Sequence, residues 1–138
     1  MKHFCLVLLL ALLAIPAVAQ DRLLTATELS QGWLDATIAG GESLSQSIAI
    51  GKGCIPVAIK MPAAWTAASL TFLAASGSET PADLYDGANE VQVTAAASRY
   101  IVLEGAVFFT VRTLRIRSGT SATPVNQAAA RTLRVICR

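Results

Sequence analysis

Histidine is almost absent from this chain: the 138 residues include one, His3. Its absence from the body of the chain excludes Ser-His-Asp catalysis, Cys-His catalysis and histidine-ligated metal sites. There is also no glycine-rich phosphate loop, no H-E-x-x-H pair and no Cys-x-x-Cys pair. A glycosidase of the two-carboxylate type needs a placed pair of acids, and nothing singles one out among Asp83, Asp86, Glu90 and Glu104. We therefore expect a non-enzymatic protein without a cofactor.

Long apolar runs are also missing, apart from one at the N-terminus. A basic start at Lys2 precedes the unbroken apolar run 4–15, and Ala17-Val18-Ala19 supplies the small-x-small pattern of a signal peptidase site. The run is shorter than the roughly 20 residues that a membrane-spanning helix needs. The pattern predicts a signal peptide over 1–19 and an exported protein, periplasmic or extracellular, with no membrane span after processing.

Charge of either sign is sparse and nearly balanced. The chain has 11 Lys+Arg against 9 Asp+Glu, for a formal net charge of +2. Removal of Lys2 with the leader brings the net charge still closer to zero. Nucleic-acid-binding domains are usually strongly basic, and anionic membranes attract polybasic runs. We therefore expect neither nucleic acid nor a membrane surface as a partner.

Cysteine is scarce, with three residues. Cys5 lies inside the apolar leader, which leaves Cys54 and Cys137. An even pair in an oxidising compartment indicates a disulfide, here closing a loop of 83 residues; the alternative is two buried free thiols. Ile55, Val57 and Ile59 are predicted to face inward, so alternation turns Cys54 outward. On the last strand, Cys137 is predicted to face inward with Leu133 and Val135. A bridge between the two cysteines therefore requires a twist or bulge near Pro56.

From Trp33 onward, short alternating apolar runs are separated by Gly, Pro, Ser and Asn, which is typical of an all-β sandwich or barrel. The predicted strands are 34–38, 44–50, 54–60, 69–74, 83–85, 91–93, 99–103, 111–117 and 131–137. The segment Val107-Phe108-Phe109 is predicted to fill the core from a connection, and 118–127 is a polar loop. Residues 20–32 form an arm or a short helix, and both interpretations stay open.

Oxygen-bearing side chains collect around an Asp-Gly turn in the segment 83–90. Asp83, Asp86, Asn89 and Glu90 are candidate calcium ligands, because calcium takes roughly six to eight oxygens. Their spacing does not match an EF-hand loop. We favour the alternative, a hairpin turn with solvated acids.

Arginine is concentrated on two predicted strands. Arg115 and Arg117 share one face of a strand, and Arg112 lies on the same strand. Together with Arg131 and Arg134 on the last strand, they predict a basic patch for sulfated or acidic glycans, or for a partner's carboxylates. The alternative is an ordinary solvated sheet face.

Aromatic residues make up 6% of the chain. Aromatic faces stack on sugar rings, and the candidates are Trp65, in a predicted loop, and Tyr85, beside the Asp-Gly turn. The alternative is that both pack in the core, since such side chains bury a large area. The predicted ligand-binding site consists of Trp65, Tyr85, Arg115 and Arg117.

Four short segments carry a resemblance to a known fold: Leu70-Thr71-Phe72, Asp83-Leu84-Tyr85, Ser98-Arg99-Tyr100-Ile101 and Leu114-Arg115-Ile116-Arg117. In this order the chain from about Ser43 resembles the galactose-binding-type jelly roll of discoidin-like and many carbohydrate-binding modules. The resemblance implies an antiparallel β-sandwich of jelly-roll type over 33–138. It also implies carbohydrate or another cell-surface component as the ligand.

The segments 61–72, 93–100 and 124–129 are similar to small β-sandwich proteins of tailed phages and prophage-like elements. That resemblance implies a virion accessory or surface-binding role through protein contacts, with virion proteins or a homo-oligomer as partners. The leader and the cysteine pair depart from it, because virion proteins assemble in the cytoplasm. Our leading hypothesis is an exported carbohydrate-binding module. A virion accessory protein is the alternative.

Fractionation of a producing culture tests the export prediction. Following the chain by mass spectrometry, we expect a mature form that begins at Gln20 in the periplasm or the medium. A chain that keeps its leader and sediments with phage-like particles would contradict export and indicate a virion component.

Overall fold

The computed structural model describes residues 32–51 and 53–138. The predicted leader, 1–19, and the predicted arm, 20–32, lie outside the described residues except for Gly32. No helix in the described part is both long enough and apolar enough to cross a membrane.

The described residues form eleven β-strands and one turn of 3₁₀ helix. In chain order these are β1 (Trp33–Ile38), β2 (Ile48–Ala49), β3 (Pro56–Lys60), β4 (Leu70–Ala75), β5 (Ala82–Asp83), β6 (Tyr85–Asp86), β7 (Asn89–Glu90), β8 (Gln92–Val93), β9 (Tyr100–Val102), the 3₁₀ helix η1 (Gly105–Phe108), β10 (Thr113–Ser118) and β11 (Arg131–Cys137). The prediction of an all-β protein is confirmed.

The strands are arranged in two antiparallel sheets and a separate hairpin. The first sheet has the order β1-β11-β3-β9. The second has the order β2-β10-β4-β5, with β8 also paired to β4, and β6 pairs with β7. Every pairing between these strands is antiparallel.

One hydrophobic core lies between the two sheets. Leu114 and Ile116 of β10 alternate with half-buried neighbours. In the other sheet, Leu133 and Val135 of β11 alternate with the exposed Thr132 and Arg134. All four are fully buried in the same cluster, and burial of such side chains contributes about 1.5–3 kcal/mol each. The apolar faces of the two central strands therefore hold the sheets together.

The connection after β9 contributes one aromatic residue to this core. Phe108 of η1 is buried and packs edge-on against Phe72 of β4, with ring centroids 5.3 Å apart. The prediction that this segment fills the core is confirmed for Phe108. It is wrong for Phe109, which is 60% exposed, because the turn that follows η1 carries its side chain outward.

The predicted strand 44–50 is shorter in the structure, and one of its side chains, Ser45, faces inward where alternation predicts that it faces outward. Regular pairing is limited to β2, while Ser45 bridges to Ile38 of the first sheet. Alternation along 44–50 predicts that Ser45 faces outward, opposite to Leu44, Ile48 and Ile50, yet Ser45 is fully buried. The physical reason is its hydroxyl, which accepts a hydrogen bond from the Ile116 N–H at 2.9 Å and donates one to the Gln46 carbonyl.

Cys54 and Cys137 lie at disulfide distance, with Cα atoms 4.7 Å apart. The required irregularity is present: Ile136 pairs with Ala58 but Cys137 pairs with Pro56, so Val57 is the extra residue of a bulge in β3. The bulge brings the two cysteines together. Because the loop is long, such a link is expected to stabilise the fold by about 4–5 kcal/mol in the chain-entropy account.

A buried amide joins the β3–β4 loop to the β10–β11 loop. The Gln127 side chain accepts a hydrogen bond from the Thr66 N–H at 2.9 Å and donates to the Thr66 carbonyl at 3.1 Å. Its NH₂ group also donates to the Ser118 hydroxyl at 2.7 Å. Gln127 is fully buried, so these bonds satisfy groups that water does not reach.

Gln127→Leu should therefore destabilise the protein although the volume is nearly conserved. Loss of the amide leaves the Thr66 backbone groups without their partners, and we expect a fall of about 2–4 kcal/mol in unfolding free energy, measured by urea denaturation. The matched control is Gln92→Leu at an exposed position of β8, where a change below about 0.5 kcal/mol is expected. Equal effects of the two substitutions would contradict the assigned role.

Candidate functional site

One edge of the second sheet is a strand interrupted by a hairpin. β5 and β8 pair with successive parts of β4, and residues 85–90 leave the sheet between them as the β6–β7 hairpin. At the point of departure the Leu84 N–H donates to the Phe72 carbonyl and the Val91 N–H donates to the Leu84 carbonyl. The turn residue Gly87 has φ of +60°, which favours glycine. A hairpin is present at the predicted Asp-Gly turn, but its strands are β6 and β7. The predicted strands 83–85 and 91–93 lie mainly along β4 instead of pairing with each other.

Arg117 anchors this hairpin to the sheet. Its guanidinium donates to Oδ1 of Asp83 at 2.5 Å and to Oε1 of Glu90 at 3.2 Å. The same Glu90 carboxylate accepts the Ser121 N–H at 3.0 Å from the β10–β11 loop. The Arg117 and Glu90 side chains are only 12% and 14% exposed, so water screens this pair weakly and the charge-assisted bonds are strong.

These contacts change the interpretation of the predicted arginine and calcium residues. Arg117 is bound to two carboxylates of its own chain, and the Arg115 guanidinium donates its Nε–H to the Ser45 carbonyl at 2.8 Å. Asp83 and Glu90 already have a cation between them. In the part of the chain that the structure describes, no cluster of three or more metal-ligating side chains is present.

The predicted basic patch spanning two strands is wrong. β10 and β11 belong to different sheets, and their apolar residues meet in one core. Arg115 and Arg134 therefore point outward from opposite sides of the molecule. Arg134 instead lies over the Trp33 ring, 4.8 Å from its centroid, and its Nε is 3.3 Å from Oδ1 of Asp35.

The two predicted aromatic residues occupy different surroundings. The Trp65 indole N–H donates to the Ala68 carbonyl of its own loop at 3.0 Å, and the ring is half-buried against the core. Tyr85 is 50% exposed and lies directly across the hairpin from Glu90, so its side chain shares the face of the Arg117 anchor. The structure relates Tyr85 to Arg117 only through Glu90, which pairs with Tyr85 across the hairpin and binds Arg117, and it places Trp65 in the β3–β4 loop.

A cleft of about 480 Å³ opens beside the hairpin, between β8 of the second sheet and the β9–η1 segment of the first. We call it the edge cleft. Its lining residues are Asp86, Asn89, Glu90, Val91, Gln92, Val93, Val102, Leu103, Glu104, Val107 and Phe108. The volume lies within the range of small-molecule sites.

The edge cleft combines an apolar floor with a rim of oxygen- and nitrogen-bearing side chains. The floor consists of buried or half-buried apolar side chains, Val91, Val93, Leu103, Val107 and Phe108, and the rim carries Asn89, Gln92 and three carboxylates, Asp86, Glu90 and Glu104. The described lining residues include no Lys or Arg. Chemically, the arrangement offers hydrogen-bond acceptors in excess, amide donors, and a local negative charge.

Sequence reasoning identified one wall of this cleft, the polar segment 83–90, and missed the opposite wall. Val102 lies in the predicted strand 99–103 and Glu104 follows it, but no local pattern indicates that this strand approaches the hairpin. Comparisons with protein-family models, with curated proteins and with solved structures found no match. The cleft is therefore interpreted from its own chemistry.

Arg117→Met should release the hairpin while leaving the core intact. Loss of the guanidinium leaves Asp83 and Glu90 facing each other without a cation. We expect a decrease of about 1–3 kcal/mol in unfolding free energy, and faster amide hydrogen exchange in residues 85–90 than elsewhere in the sheet. Arg112→Met is the matched control, because Arg112 is exposed and makes no ion pair in the described part of the chain. Unchanged hairpin exchange in R117M would contradict the anchoring role.

Proposed function

We propose that the protein is an exported, non-enzymatic binding module of jelly-roll type that binds neutral carbohydrate in the edge cleft. The observation that carries the proposal is the cleft itself. A volume of about 480 Å³ with an apolar floor and a rim of amides and carboxylates suits a ligand that has both C–H faces and hydroxyl groups.

The strand order supports the jelly-roll assignment. β5 and β8 count here as one interrupted edge strand, and the β6–β7 hairpin is left out. Consecutive strands then alternate between the two sheets along the chain, except that β4 and β5 are neighbours in the same sheet. The resulting orders, β1-β11-β3-β9 and β2-β10-β4-β5, are those of eight strands wound as two Greek keys. Many lectin domains have this architecture.

Two features of the structure are compatible with export. The Cys54–Cys137 pair is at disulfide distance, and structural disulfides persist mainly in oxidising compartments. No helix of the described part is suited to span a membrane. Together with the sequence of residues 1–19, these features support a protein that acts in the periplasm or outside the cell.

Hydroxyl groups of a sugar donate and accept hydrogen bonds at the same time, and the rim provides both kinds of partner. Asp86 and Glu104 supply acceptors, while the amides of Asn89 and Gln92 supply donors and acceptors. The valine side chains and Phe108 supply the apolar surface for the C–H face of the ring. Tyr85 does not line the cleft but is 50% exposed on the same hairpin, so it can extend the surface available to a longer glycan.

The charge of the cleft selects among glycans. Glu90 is paired with Arg117, but the lining residues Asp86 and Glu104 carry negative charge that no ion pair in the described residues offsets, and the lining includes no Lys or Arg. Sulfated and uronic-acid glycans therefore meet like charge there, which is destabilising. Of the arginine residues that suggested an acidic ligand, Arg117 binds Asp83 and Glu90, and Arg115 donates to the Ser45 carbonyl. Neutral sugars and amino sugars are therefore the proposed ligand class.

The alternative function, a structural protein that acts through protein contacts, also has an observation in its favour. The edge strand β9 exposes apolar side chains, with Val102 78% exposed and Tyr100 59% exposed. Exposed apolar edges are typical of surfaces that contact another chain. Sedimentation with particles in the culture fractionation would favour this alternative over glycan binding.

Glycan titration of two variants tests the proposed site. Asn89→Ala removes an amide from the hairpin wall and Glu104→Gln removes a charge from the opposite wall, both at exposed positions. Each should weaken neutral-glycan binding about tenfold or more, that is by about 1.4 kcal/mol, with an unchanged melting temperature. Isothermal titration calorimetry after a glycan-array screen is the measurement.

The control is Glu42→Gln, an exposed carboxylate outside the cleft, which should bind like the original chain. Arg115→Met distinguishes the two candidate surfaces. If R115M abolishes binding and the cleft variants do not, the site is the arginine face. If no glycan of any charge binds, the proposed function is wrong.

A further inference from the structure

The edge strand β9 has backbone groups that no other strand of the described chain covers. It pairs with β3 through Ile101 and Ile59, and the adjoining bonds are Met61 N–H to the Arg99 carbonyl at 2.8 Å and Leu103 N–H to the Val57 carbonyl at 2.9 Å. In an antiparallel ladder the backbone groups of successive residues point to opposite sides. The N–H and C=O groups of Tyr100 and Val102 therefore point away from β3, toward the free edge.

At the opposite edge of the same sheet, outward backbone groups of β1 are hydrogen-bonded within the chain. Along β1, the Thr37 N–H donates to the side-chain oxygen of Gln46 at 2.8 Å, and the Thr37 carbonyl accepts the Gln46 N–H at 3.2 Å. Gln46 therefore covers the edge of β1 in the way that folded proteins commonly protect edge strands. Within Tyr100–Val102, β9 has no charge, no proline and no bulge, so its short length is the one protecting feature of the strand itself.

An apolar row on the outer face of the first sheet leads to this uncovered edge. Cross-strand pairing places Trp33, Ile136, Ala58 and Val102 in one line across β1, β11, β3 and β9. The row ends at Val102, the most exposed large apolar side chain of the described part. A further strand beside β9 would continue both the hydrogen-bond ladder and the apolar row.

We propose that β9 pairs antiparallel with β9 of a second copy of this chain, about a twofold axis at Ile101. Only residues that point to the free edge form hydrogen-bonded pairs, so Tyr100 lies opposite the partner's Val102 and Val102 lies opposite the partner's Tyr100. This register uses all the free backbone groups of both residues. The two four-stranded sheets become one continuous sheet, and each tyrosine ring covers a valine of the other copy.

Self-pairing is favoured over a foreign strand because the edge is self-complementary. Arg99 precedes β9 and Glu104 follows it closely, and both are exposed without an ion pair in the described residues. Antiparallel pairing of two copies brings Arg99 next to the partner's Glu104 at both ends of the interface. A parallel arrangement would bring like charges together. A twofold axis of this kind gives the closed interface typical of homodimers.

The pairing goes beyond carbohydrate binding and does not depend on it, although Val102 also lines the edge cleft. The short strand and its few hydrogen bonds predict a weak, concentration-dependent dimer. The protein purified after export is the material for the test. Analytical ultracentrifugation from about 1 μM to about 1 mM should show a reversible shift from monomer to dimer.

Val102→Pro is the decisive variant. Proline removes the outward N–H and places its ring where the second strand would lie, while the bonds to β3 remain, because Val102 donates none of them. We expect the dissociation constant to rise at least about tenfold. Val102→Lys is the second variant, since an edge lysine opposes strand pairing. Phe109→Lys is the matched control, because Phe109 is a similarly exposed apolar residue outside the strand.

Amide hydrogen exchange supplies an independent readout. Exchange at Tyr100 and Val102 should slow as protein concentration rises, while exchange at Thr37, already hydrogen-bonded within the monomer, should not change. A monomer at every concentration overturns the proposal, and so does a dimer that persists in both V102P and V102K. If V102P does not fold, V102K and the exchange measurement decide. If V102P and V102K lose glycan binding but self-associate like the original chain, Val102 contributes to the edge cleft and not to a dimer, and the proposal is overturned.

Discussion

The rest of the structure depends on the alternating burial of apolar side chains along β10 and β11, the central strands of the two sheets. Leu114 and Ile116 of one strand and Leu133 and Val135 of the other share one core. That constraint forces Arg115 and Arg117 to one outer face and Arg134 to the opposite one. Arginine residues that follow the same alternating pattern on β10 and β11 therefore lie on different faces of the molecule. The polar side chains of each face form separate contacts.

Polar side chains then decide how the loops and the hairpin attach to this core. Gln127 joins two loops through the Thr66 backbone, and Arg117 joins the hairpin to the second sheet through Asp83 and Glu90. Each of these groups is buried or nearly so and has its bonds satisfied, which is what makes it stabilising rather than costly. The position of the edge cleft follows from the Arg117 anchor, because the hairpin forms one of its walls.

Three edges of the two sheets differ in how their outward backbone groups are covered. A glutamine side chain covers β1, a hairpin emerges from the β5/β8 edge, and β9 has no cover within the described chain. The cleft and the uncovered strand lie side by side at the same end of the sandwich. Binding of a ligand and pairing with a second copy are therefore expected to involve neighbouring surfaces, with Val102 common to both.

Local pattern alone determined the strand content, the Asp-Gly hairpin and the inward face of most strands, because period-2 alternation reports burial within one strand. It also indicated the cysteine pair and the need for a bulge near Pro56. Three things depended on the tertiary structure: which sheet each strand joins, the partners of Arg117, and the meeting of residues 83–90 with Glu104. The physical reason is that sheet order, ion pairing and cleft formation join residues distant in sequence, and alternation carries no information about which strands become neighbours.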